Sequence, residues 1–521
     1  MLPDTPELRQ RPFIEFLLSW RSYGDSPVDV DHLETHISHI FLVGEFAYKL
    51  KKAVKLSFLD FSDDHKRSDF VERELVLNRR YAAPLYLETR ELSLKDGNVA
   101  WGTNGEQSER VLKMRRFKQQ DLFSNLVSQN RVSPELLQRL VSKIVRFHIE
   151  AEPRPNSFVP EFFEKLVNDC LALIPKELLS REFNAALTHT LHKLRKEITR
   201  RQPSHVRLVH GDLHLGNICL YQNEPFPFDG IEFDEKYAAI DTMADFAFLL
   251  MDLWRLNQSH LAWSALNIYL EQSFDYEGVV LLPLFLSYRA LVRSKVLSIA
   301  LKQHDHPQNT PELLEYISLA QSALTPNFPA LTVIGGLSGS GKTFLGRLLS
   351  EQFGALHLRS DVFRKHLAKT PLDQELPIEW YSHEHSEETY RELYSTAKNL
   401  LLQGLPVVID AVHGTTQDRA LCEDLASHCH SVTKLWCSVP DHIACARIAQ
   451  RTKDASDATL EVFQSQKASL SPPDTPGWRF IKMDQNAEAL VKILKEFTLQ
   501  APWPREARRE KKSSSRIREK E

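Results

Sequence analysis

The spacing of apolar positions differs between the front and the rear of the chain. In the rear, the short apolar run 331–334 ends at two glycines, and a second run, 407–409, follows an amphipathic helical pattern that ends at Gly404. Apolar runs that alternate with helices in this way predict βαβ units and a parallel sheet. The front begins with strand-like segments and continues with long helical ones. The pattern therefore predicts an α+β front domain followed by an α/β rear domain.

The clearest boundary lies at residues 323–330, where the stretch ALTPNFPAL interrupts the helical pattern with two prolines and an asparagine. We therefore predict a front domain, a linker, a rear domain and a tail, at 1–322, 323–330, 331–500 and 501–521. The end of the tail, REARREKKSSSRIREKE, is highly charged and has no apolar face. This composition predicts a disordered segment.

Composition narrows the class of protein only slightly. The chain has 521 residues, 42% of them hydrophobic and 26% charged, which are ordinary values for globular domains. Its net charge of −4 does not favour a nucleic-acid or membrane partner. The N-terminal MLPDTPELRQ has no apolar core of a signal sequence, and the longest apolar runs are too short to cross a bilayer. We therefore expect a cytoplasmic protein.

The most specific motif of the rear domain is GLSGSGKT, which matches G-x-x-x-x-G-K-[ST] at every fixed position. Its glycines, Gly336, Gly339 and Gly341, let successive backbone N–H groups point at phosphate oxygens. Lys342 is placed to reach the β- and γ-phosphates of ATP, and Thr343 to offer its hydroxyl to Mg²⁺. The motif predicts a nucleotide site between a strand and a helix.

Further side chains complete this predicted site. Asp410 ends an apolar strand, which is where a doubly wound sheet places ligand contacts, and Asp361 follows another short run. Asp361 is a candidate base for an acceptor hydroxyl and Asp410 a candidate neighbour of the metal, although each could instead cap a helix. Arg447 and Arg451 share a helix face that suits phosphate or simply faces solvent.

The segments GGLSGSGKT, RSDVFRK, VVIDAV and ARIAQR, followed by DASDATLEVFQSQ, resemble AAA-type and small P-loop kinases of the polynucleotide-kinase, gluconate-kinase and zeta-toxin type. The resemblance covers most of residues 330–485. It implies that Asp361 activates the acceptor hydroxyl and that Arg447 or Arg451 is a lid arginine.

The front domain contains HGDLHLGN, whose D-x-x-x-x-N spacing is that of a kinase catalytic loop. In such a loop the aspartate, here Asp212, accepts the proton of the attacking hydroxyl, and the asparagine, here Asn217, binds a metal on the ATP phosphates. With Gly211 in place of the usual arginine, the motif resembles that of aminoglycoside phosphotransferases and choline kinases. This resemblance extends over roughly residues 30–300 and implies a protein-kinase-like, two-lobe domain.

Downstream, Ile231-Glu232-Phe233 resembles the I-D-F segment of that family, which implies Glu232 as a metal ligand. Glutamate is one methylene longer than aspartate, so the metal geometry differs, and Asp229 or Asp234 is available to compensate. We interpret Asp245 as a structural cap.

Upstream, Phe46-Ala47-Tyr48-Lys49-Leu50 resembles the strand whose lysine grips the α- and β-phosphates, and residues 111–114 resemble the hinge beside adenine. Glu74 is the first candidate partner for Lys49, with Glu72 as the alternative. No G-x-G-x-x-G precedes Lys49, and only Gly44 stands in the expected place. We therefore expect less complete cover over the phosphates.

The chain thus resembles a bacterial fusion of an aminoglycoside-phosphotransferase-like domain with a P-loop domain. It is predicted to be a bifunctional enzyme that uses ATP and Mg²⁺ to phosphorylate hydroxyls of small molecules. One alternative is a pseudokinase or regulatory module joined to an ATP-hydrolysing switch. Another is a rear domain that phosphorylates polynucleotide ends, which the net charge does not favour.

Overall fold

The computed structural model describes residues 5–56, 59–103, 105–304, 309–325, 329–450, 455–474 and 477–495. Its strands are β1 Val30–Glu34, β2 Ser38–Val43, β3 Phe46–Lys51, β4 Lys55–Leu56, β5 Leu59–Asp60, β6 Tyr86–Lys95, β7 Asn98–Trp101, β8 Gln107–Arg115, β9 Val206–Leu208, β10 Ile218–Tyr221, β11 Glu224–Pro227, β12 Ala239–Asp241, β13 Ala330–Gly335, β14 Leu356–Arg359, β15 Val407–Asp410, β16 Ser431–Ser438 and β17 Trp478–Lys482.

The α-helices are α1 Pro6–Leu18, α2 Asp64–Ala82, α3 Phe123–Ser128, α4 Pro134–Glu150, α5 Pro160–Leu171, α6 Arg181–His205, α7 Thr242–Arg255, α8 Ser259–Ser273, α9 Leu282–His304, α10 Asn309–Ala323, α11 Lys342–Phe353, α12 Ser360–Leu367, α13 His383–Leu402, α14 Thr416–Ala426, α15 Asp441–Ala449, α16 Leu460–Ser469 and α17 Ala487–Leu494. Short 3-10 helices lie at Trp20–Tyr23, Gln119–Asp121, Lys176–Leu178, Leu215–Asn217, Glu235–Tyr237, Tyr276–Leu281 and Ile378–Tyr381. Within the described ranges, no helix combines the length and apolarity needed to span a bilayer.

The front domain is built on an antiparallel sheet with strand order β1-β2-β3-β8-β6-β7. Helix α2 packs against this sheet, with Val71 and Leu75 buried beside Ala47 and Leu112. Because side chains alternate along a strand, Lys49 and Lys51 of β3 point to the same face of the sheet. That face meets α2, and the strand therefore presents two lysines to one helix.

Small strand pairs hold the loops that follow. Strands β9 and β12 pair antiparallel, as do β10 and β11. The loop after β9 leads into Leu215–Asn217, and the loop after β11 returns to β12. Ile231 N–H donates to the His210 carbonyl at 3.0 Å, which joins the two loops. The HGDLHLGN segment and the IEF segment are therefore neighbours, although the β10–β11 hairpin separates them in sequence.

The rear domain contains a parallel sheet with strand order β14-β15-β13-β16-β17. In chain order this is 2-3-1-4-5, so the direction of winding reverses beside the first strand, β13. Ligands of doubly wound sheets bind at such a reversal, at the carboxyl ends of the strands. The predicted classes of both domains, α+β in front and α/β behind, are confirmed.

The contacts divide the chain into two compact units, one of residues 1–163 and 196–252 and one of residues 164–195 and 253–521. In the second unit, α8 packs against α11 and the edge strand β14. The Asn267 amide donates to the Ala355 carbonyl at 3.0 Å and accepts from His357 N–H at 2.8 Å. This amide satisfies backbone groups at the sheet edge, which would otherwise stay unpaired.

The second compact unit therefore begins well before the linker that the sequence predicts at 323–330. The physical reason is that α8 covers the edge of the rear sheet, as the Asn267 hydrogen bonds show. Residues 326–328 of the linker and the whole predicted tail, 501–521, lie outside the described residues. The functional division at 323–330 stays a prediction.

Candidate active sites

A cluster of charges, most of them buried, joins β3, α2 and the loop after β11. Lys49 Nζ lies 2.7 Å from Glu74 Oε1 and 2.5 Å from Asp229 Oδ1. Lys51 Nζ lies 2.7 Å from the other oxygen, Glu74 Oε2, and donates a further hydrogen bond to Glu232. The chain Asp229–Lys49–Glu74–Lys51–Glu232, here called the lysine–carboxylate chain, contains two cations and three carboxylates.

The structure distinguishes between the two sequence candidates for the partner of Lys49. Glu72 accepts a hydrogen bond from Thr89 Oγ1 at 2.5 Å and lies 3.2 Å from Arg110. Two positions along an α-helix correspond to about 200° around its axis, so Glu72 and Glu74 face different neighbours. The ion pair with Lys49 is made by Glu74.

Electrostatics keeps the central pair of this chain, Lys49 and Glu74, charged. Burial by itself would lower the pKa of Lys49, but Asp229 and Glu74 raise it above its ordinary value. Burial would likewise raise the pKa of Glu74, yet Lys49 and Lys51 bring it below its usual range. Paired in this way, the buried charges offset much of their desolvation cost. Lys49 is thus a permanent cation at the position where phosphate charge is expected.

The catalytic-loop motif forms a compact turn. Asn217 Nδ2 donates to Asp212 Oδ2 at 2.9 Å and to the Asp212 carbonyl at 3.0 Å. His214 Nε2 lies 3.5 Å from Asp212 Oδ2, and His214 Nδ1 accepts from Gly216 N–H at 3.0 Å. Both predicted functional groups therefore project from one loop. The Asn217 amide uses its nitrogen to orient Asp212, which leaves its oxygen as the group suited to a cation.

Asp245, at the start of α7, supports the backbone of this loop. Its carboxylate accepts from Gly211 N–H at 2.8 Å and from His210 N–H at 3.2 Å, and it lies 3.2 Å from His148 Nε2. Asp245 is fully buried. The sequence interpretation of Asp245 as a structural group fits this arrangement, although the N–H groups it satisfies belong to the loop.

We predict that Asp245→Ala destabilises the front domain more than Asp245→Asn. Alanine leaves the N–H groups of His210 and Gly211 buried without this acceptor, at about 1–3 kcal/mol each, so the expected loss is about 2–6 kcal/mol. Asparagine keeps one acceptor oxygen and should lose less. Urea denaturation of both variants measures the difference in free energy of unfolding. Equal losses would show that the carboxylate oxygens do not hold the loop.

The cover over the front site is short, as the sequence predicts. Strands β2 and β3 are joined by a two-residue turn, Gly44-Glu45. Gly44 has φ +53°, in the left-handed region that such tight hairpins require. A two-residue turn offers few backbone N–H groups to a phosphate chain. Phosphates placed here would therefore depend on side-chain charges more than in a glycine-rich loop.

The acidic residues after β11 differ in where their side chains lie. The Glu232 side chain is 5% exposed and bonded to Lys51, whereas that of Asp229 is 42% exposed beside Lys49. Asp234 caps the short helix Glu235–Tyr237 through Lys236 N–H. The resemblance implies Glu232 as the metal ligand, with Asp229 as one of two carboxylates able to compensate. In the structure, Asp229 is the carboxylate with an accessible oxygen beside Lys49.

The predicted P-loop lies between β13 and α11. Gly339 and Gly341 have φ of +75° and +94°, and a side chain on Gly339 would come within 2.7 Å of the Ala444 carbonyl. Glycine is therefore required at this close approach. Lys342 Nζ donates to the Leu337 carbonyl across the loop at 2.9 Å. The lysine thus lies over the curl of backbone in which phosphates are expected.

Asp410 and Thr343 meet at the carboxyl edge of the sheet, where Thr343 Oγ1 donates to Asp410 Oδ2 at 2.7 Å. Burial alone would raise the pKa of Asp410, but His357, Lys342 and Arg359 lower it below its ordinary value. A hydroxyl beside an ionised carboxylate is an oxygen donor set that fits Mg²⁺. The residues present therefore fit the metal that the P-loop implies.

Asp361, at the start of α12, lines a cavity of about 360 Å³ together with Lys342, Thr343 and Asp410. Burial raises its pKa, and the charge of Asp410 adds to the effect. A carboxylate with a raised pKa is a stronger base, which suits proton removal from a hydroxyl. The same cavity is also lined by Arg364 and two tyrosines, Tyr381 and Tyr390.

Of the two predicted lid arginines, Arg447 lies in the described part of the chain. Arg447 lines the same cavity, and its guanidinium donates to the Met483 carbonyl at 2.7 Å. A side chain added at Gly341 would lie 3.1 Å from Arg447 Nη1, so the arginine reaches the P-loop. Arg451 lies outside the described residues.

Several residues of these sites were not predicted from the sequence. His357 and Arg359 of β14 lie 3.5 and 4.0 Å from Asp410, and Arg359 also lies 3.4 Å from Glu271 of α8. Lys51 joins Glu74 in the front site. For Lys51 a signal was present, since it stands two positions after Lys49 in a predicted strand and must share its face. For Arg359 and Glu271 the sequence offers none.

Two family models match the chain. Residues 97–279 match the phosphotransferase enzyme family, and residues 331–473 match an AAA domain. The chain is a phosphotransferase-class enzyme. The predicted resemblance to a phosphotransferase-like domain joined to a P-loop domain is thereby confirmed. The first match ends in the helical region that packs beside the rear sheet.

Relatives share most of this length. The uncharacterized protein Rv2004c of Mycobacterium tuberculosis is 28% identical over 464 residues, covering 86% of this chain and 91% of that protein. The uncharacterized protein Mb2027c of Mycobacterium bovis has the same identity and coverage. The alignment is long enough to include both the front and the rear motifs.

Solved structures are similar to part of the chain. The GDP complex of aminoglycoside 2'-phosphotransferase-IIIa covers 61% of this chain and 98% of its own, with 16% identity and a TM-score of 0.39. A sugar kinase from Janibacter sp. HTCC2649 covers 34% of this chain and 99% of its own, with 21% identity and a TM-score of 0.28.

Proposed function

We propose that the front domain transfers the γ-phosphoryl group of ATP to a hydroxyl of a small molecule. The observation that carries this proposal is that the Asp212–Asn217 loop and the Lys49–Glu74–Asp229 charges lie in one compact unit. The hydrogen bond from Ile231 N–H to the His210 carbonyl joins the loops that bear Asp212 and Asp229. The two groups supply a base and a phosphate cation, which are what phosphoryl transfer requires. The acceptor's identity is not encoded in these residues.

Each front residue has a distinct part in this reaction. Asp212 accepts the proton of the attacking hydroxyl, and Asn217 holds Asp212 in place through its amide nitrogen. Lys49 binds phosphate oxygens, and Glu74 fixes Lys49. The Asn217 oxygen and a carboxylate, Asp229 in preference to Glu232, would hold Mg²⁺. When bound, the ion neutralises charge that develops on the phosphates.

We propose a second ATP site in the rear domain. Lys342 and the glycine backbone bind the phosphates, Thr343 and Asp410 would hold Mg²⁺, and Asp361 takes the acceptor proton. The raised pKa of Asp361 and its position on the wall of the cavity that Lys342 lines support this role. Arg447 supplies further positive charge to the phosphates. The protein is then bifunctional, with one acceptor for each site.

A label-transfer screen tests both sites in the full chain. Wild type, Asp212→Asn, Lys342→Met and the double variant are incubated with γ-labelled ATP, Mg²⁺ and a set of hydroxyl metabolites. We expect one labelled product to disappear in Asp212→Asn, another in Lys342→Met, and both in the double variant. Point variants are preferred to fragments because helices after residue 253 share a compact unit with the rear sheet.

The alternative functions predict other patterns in the same screen. A regulatory front module with a rear ATP-driven switch would give no labelled metabolite, but ATP hydrolysis sensitive to Lys342→Met. A polynucleotide kinase would label only added DNA or RNA ends. The cavity that Asp361 lines has a volume of about 360 Å³, and this size favours a small acceptor over a polynucleotide.

A further inference from the structure

The lysine–carboxylate chain contains two charged residues, Lys51 and Glu232, that phosphate binding does not need. Lys49 and Glu74 already make the pair that grips ATP phosphates in the proposed front site. Lys51 is 1% exposed and is bonded to Glu74 Oε2 and to Glu232, so it has no route to a nucleotide. Burying a lysine and a glutamate is costly unless both are well paired. Lys51 and Glu232 must therefore have a role other than contact with a ligand.

The same segment is tied at other points. Gly230 N–H donates to Asn78 Oδ1 of α2 at 2.8 Å, and Asp229 N–H donates to Tyr86 Oη at 2.9 Å. Asp229 itself has φ +61°, a left-handed conformation that a non-glycine residue keeps only where its surroundings hold it. Residues 229–232 are thus attached to α2, to β6 and, through Glu232 and Lys51, to β3.

We propose that Lys51 and Glu232 form a positioning pair that holds the phosphate-binding groups of the front site in their working arrangement before ATP arrives. Lys51 donates a hydrogen bond to Glu74 Oε2, the oxygen that Lys49 does not contact. This contact fixes the carboxylate that orients Lys49. Through Glu232, Lys51 also fixes residues 229–232, and with them the Asp229 carboxylate beside Lys49. This inference rests on the proposed front ATP site.

The pair is expected to act on affinity through preorganisation. Without it, Lys49, Glu74 and Asp229 keep their own contacts but must be ordered by the ligand, and ordering a long side chain costs binding free energy. Ordering about two such side chains corresponds to a loss of about tenfold in affinity for ATP. Because neither residue is a metal ligand in this account, the loss is present without Mg²⁺. It is at least as large with Mg²⁺, because the pair also holds Asp229.

Calorimetric titration with ATP tests the proposal on full-length protein carrying Lys342→Met, which leaves the front site as the one under study. Four variants are compared on that background: Lys51→Arg, Lys51→Met/Glu232→Gln, Glu232→Gln and Asp229→Asn. The double variant removes one charge of each sign, so it leaves no uncompensated charge in the core. Each protein is titrated with Mg·ATP and with ATP in the presence of EDTA.

We expect the double variant to lose about tenfold in affinity in EDTA and at least as much with Mg²⁺. Lys51→Arg should keep most of the affinity of its parent, because a guanidinium can bridge both carboxylates. Glu232→Gln should keep the ratio of the two affinities within about twofold, whereas Asp229→Asn should lose the gain that Mg²⁺ provides. A double variant that binds ATP like its parent overturns the proposal. So does a Glu232→Gln protein that loses the Mg²⁺ dependence, because Glu232 would then be a ligand.

The background protein separates this proposal from the function beneath it. If Lys342→Met protein binds no ATP at all, the front ATP site itself is wrong, and the positioning role is overturned with it. If that protein binds ATP and the double variant matches it, the front site stands and only the positioning role is wrong. Thermal unfolding of the double variant measures any general loss of stability, which would not by itself change affinity per folded molecule.

Discussion

Asp212→Asn should lower kcat of the front-domain transfer by about two to four orders of magnitude, the usual reach of general-base catalysis. Asp212 is held by the Asn217 amide at 2.9 Å, and asparagine can accept a hydrogen bond at the same place without accepting a proton. The loop should therefore keep its shape while the chemical step is lost. KM for ATP should change little, because the base acts in the transition state.

The measurement is the steady-state rate of labelled product formed by the front site, with ATP varied at saturating acceptor. Asp234→Asn is a matched control, since Asp234 is a neighbouring carboxylate that caps Glu235–Tyr237 and asparagine caps equally well. The control should retain its rate within about twofold, as expected for surface substitutions. An Asp212→Asn enzyme as fast as the control would remove Asp212 from the reaction.

Lys342→Met should lower turnover at the rear site by about two to three orders of magnitude. The lysine is the positive side chain that reaches over the P-loop, and removing one preorganised group from developing phosphate charge has an effect of this size. Methionine keeps the length of the side chain, so the loop should remain packed. Turnover at the front site should be unchanged in the same protein.

Rear-site turnover is measured in protein that carries Asp212→Asn, so that the front site does not contribute. Lys398→Met is the matched control, because Lys398 lies on α13 and pairs with Asp424 at 3.3 Å in an exposed position. Loss of turnover in both proteins would indicate a general effect of removing a lysine. Full activity in Lys342→Met would contradict a phosphate role for the P-loop.

Much of the candidate chemistry could be predicted from short contiguous motifs. The P-loop and the HGDLHLGN loop each place their groups through local backbone geometry, and the structure brings Asp212 together with Asn217 and Lys342 over the Leu337 carbonyl. The alternation of apolar runs was likewise enough to predict the parallel rear sheet. In each case the information lies within a few residues or in a repeating period, so no long-range contact had to be known.

Other features depend on which distant segments meet. The sequence favours Glu74 but leaves Glu72 open as the partner of Lys49, and the rotation of α2 against β3 decides that Glu74 meets Lys49. Asp229 and Glu232 are three residues apart, and both are candidate metal ligands by sequence. The structure distinguishes them, because Glu232 is buried against Lys51. Nothing in the sequence ties α8 to the edge of the rear sheet.

The sequence by itself determined the fold classes, the two nucleotide-site motifs and most of the charged side chains of the proposed ATP sites. Only the tertiary structure decided which carboxylate each lysine meets and where one compact unit ends. The physical reason is that charge pairing and edge covering are set by distances between segments up to about 180 positions apart, as Lys51 and Glu232 illustrate. Local periodicity carries no information about such distances.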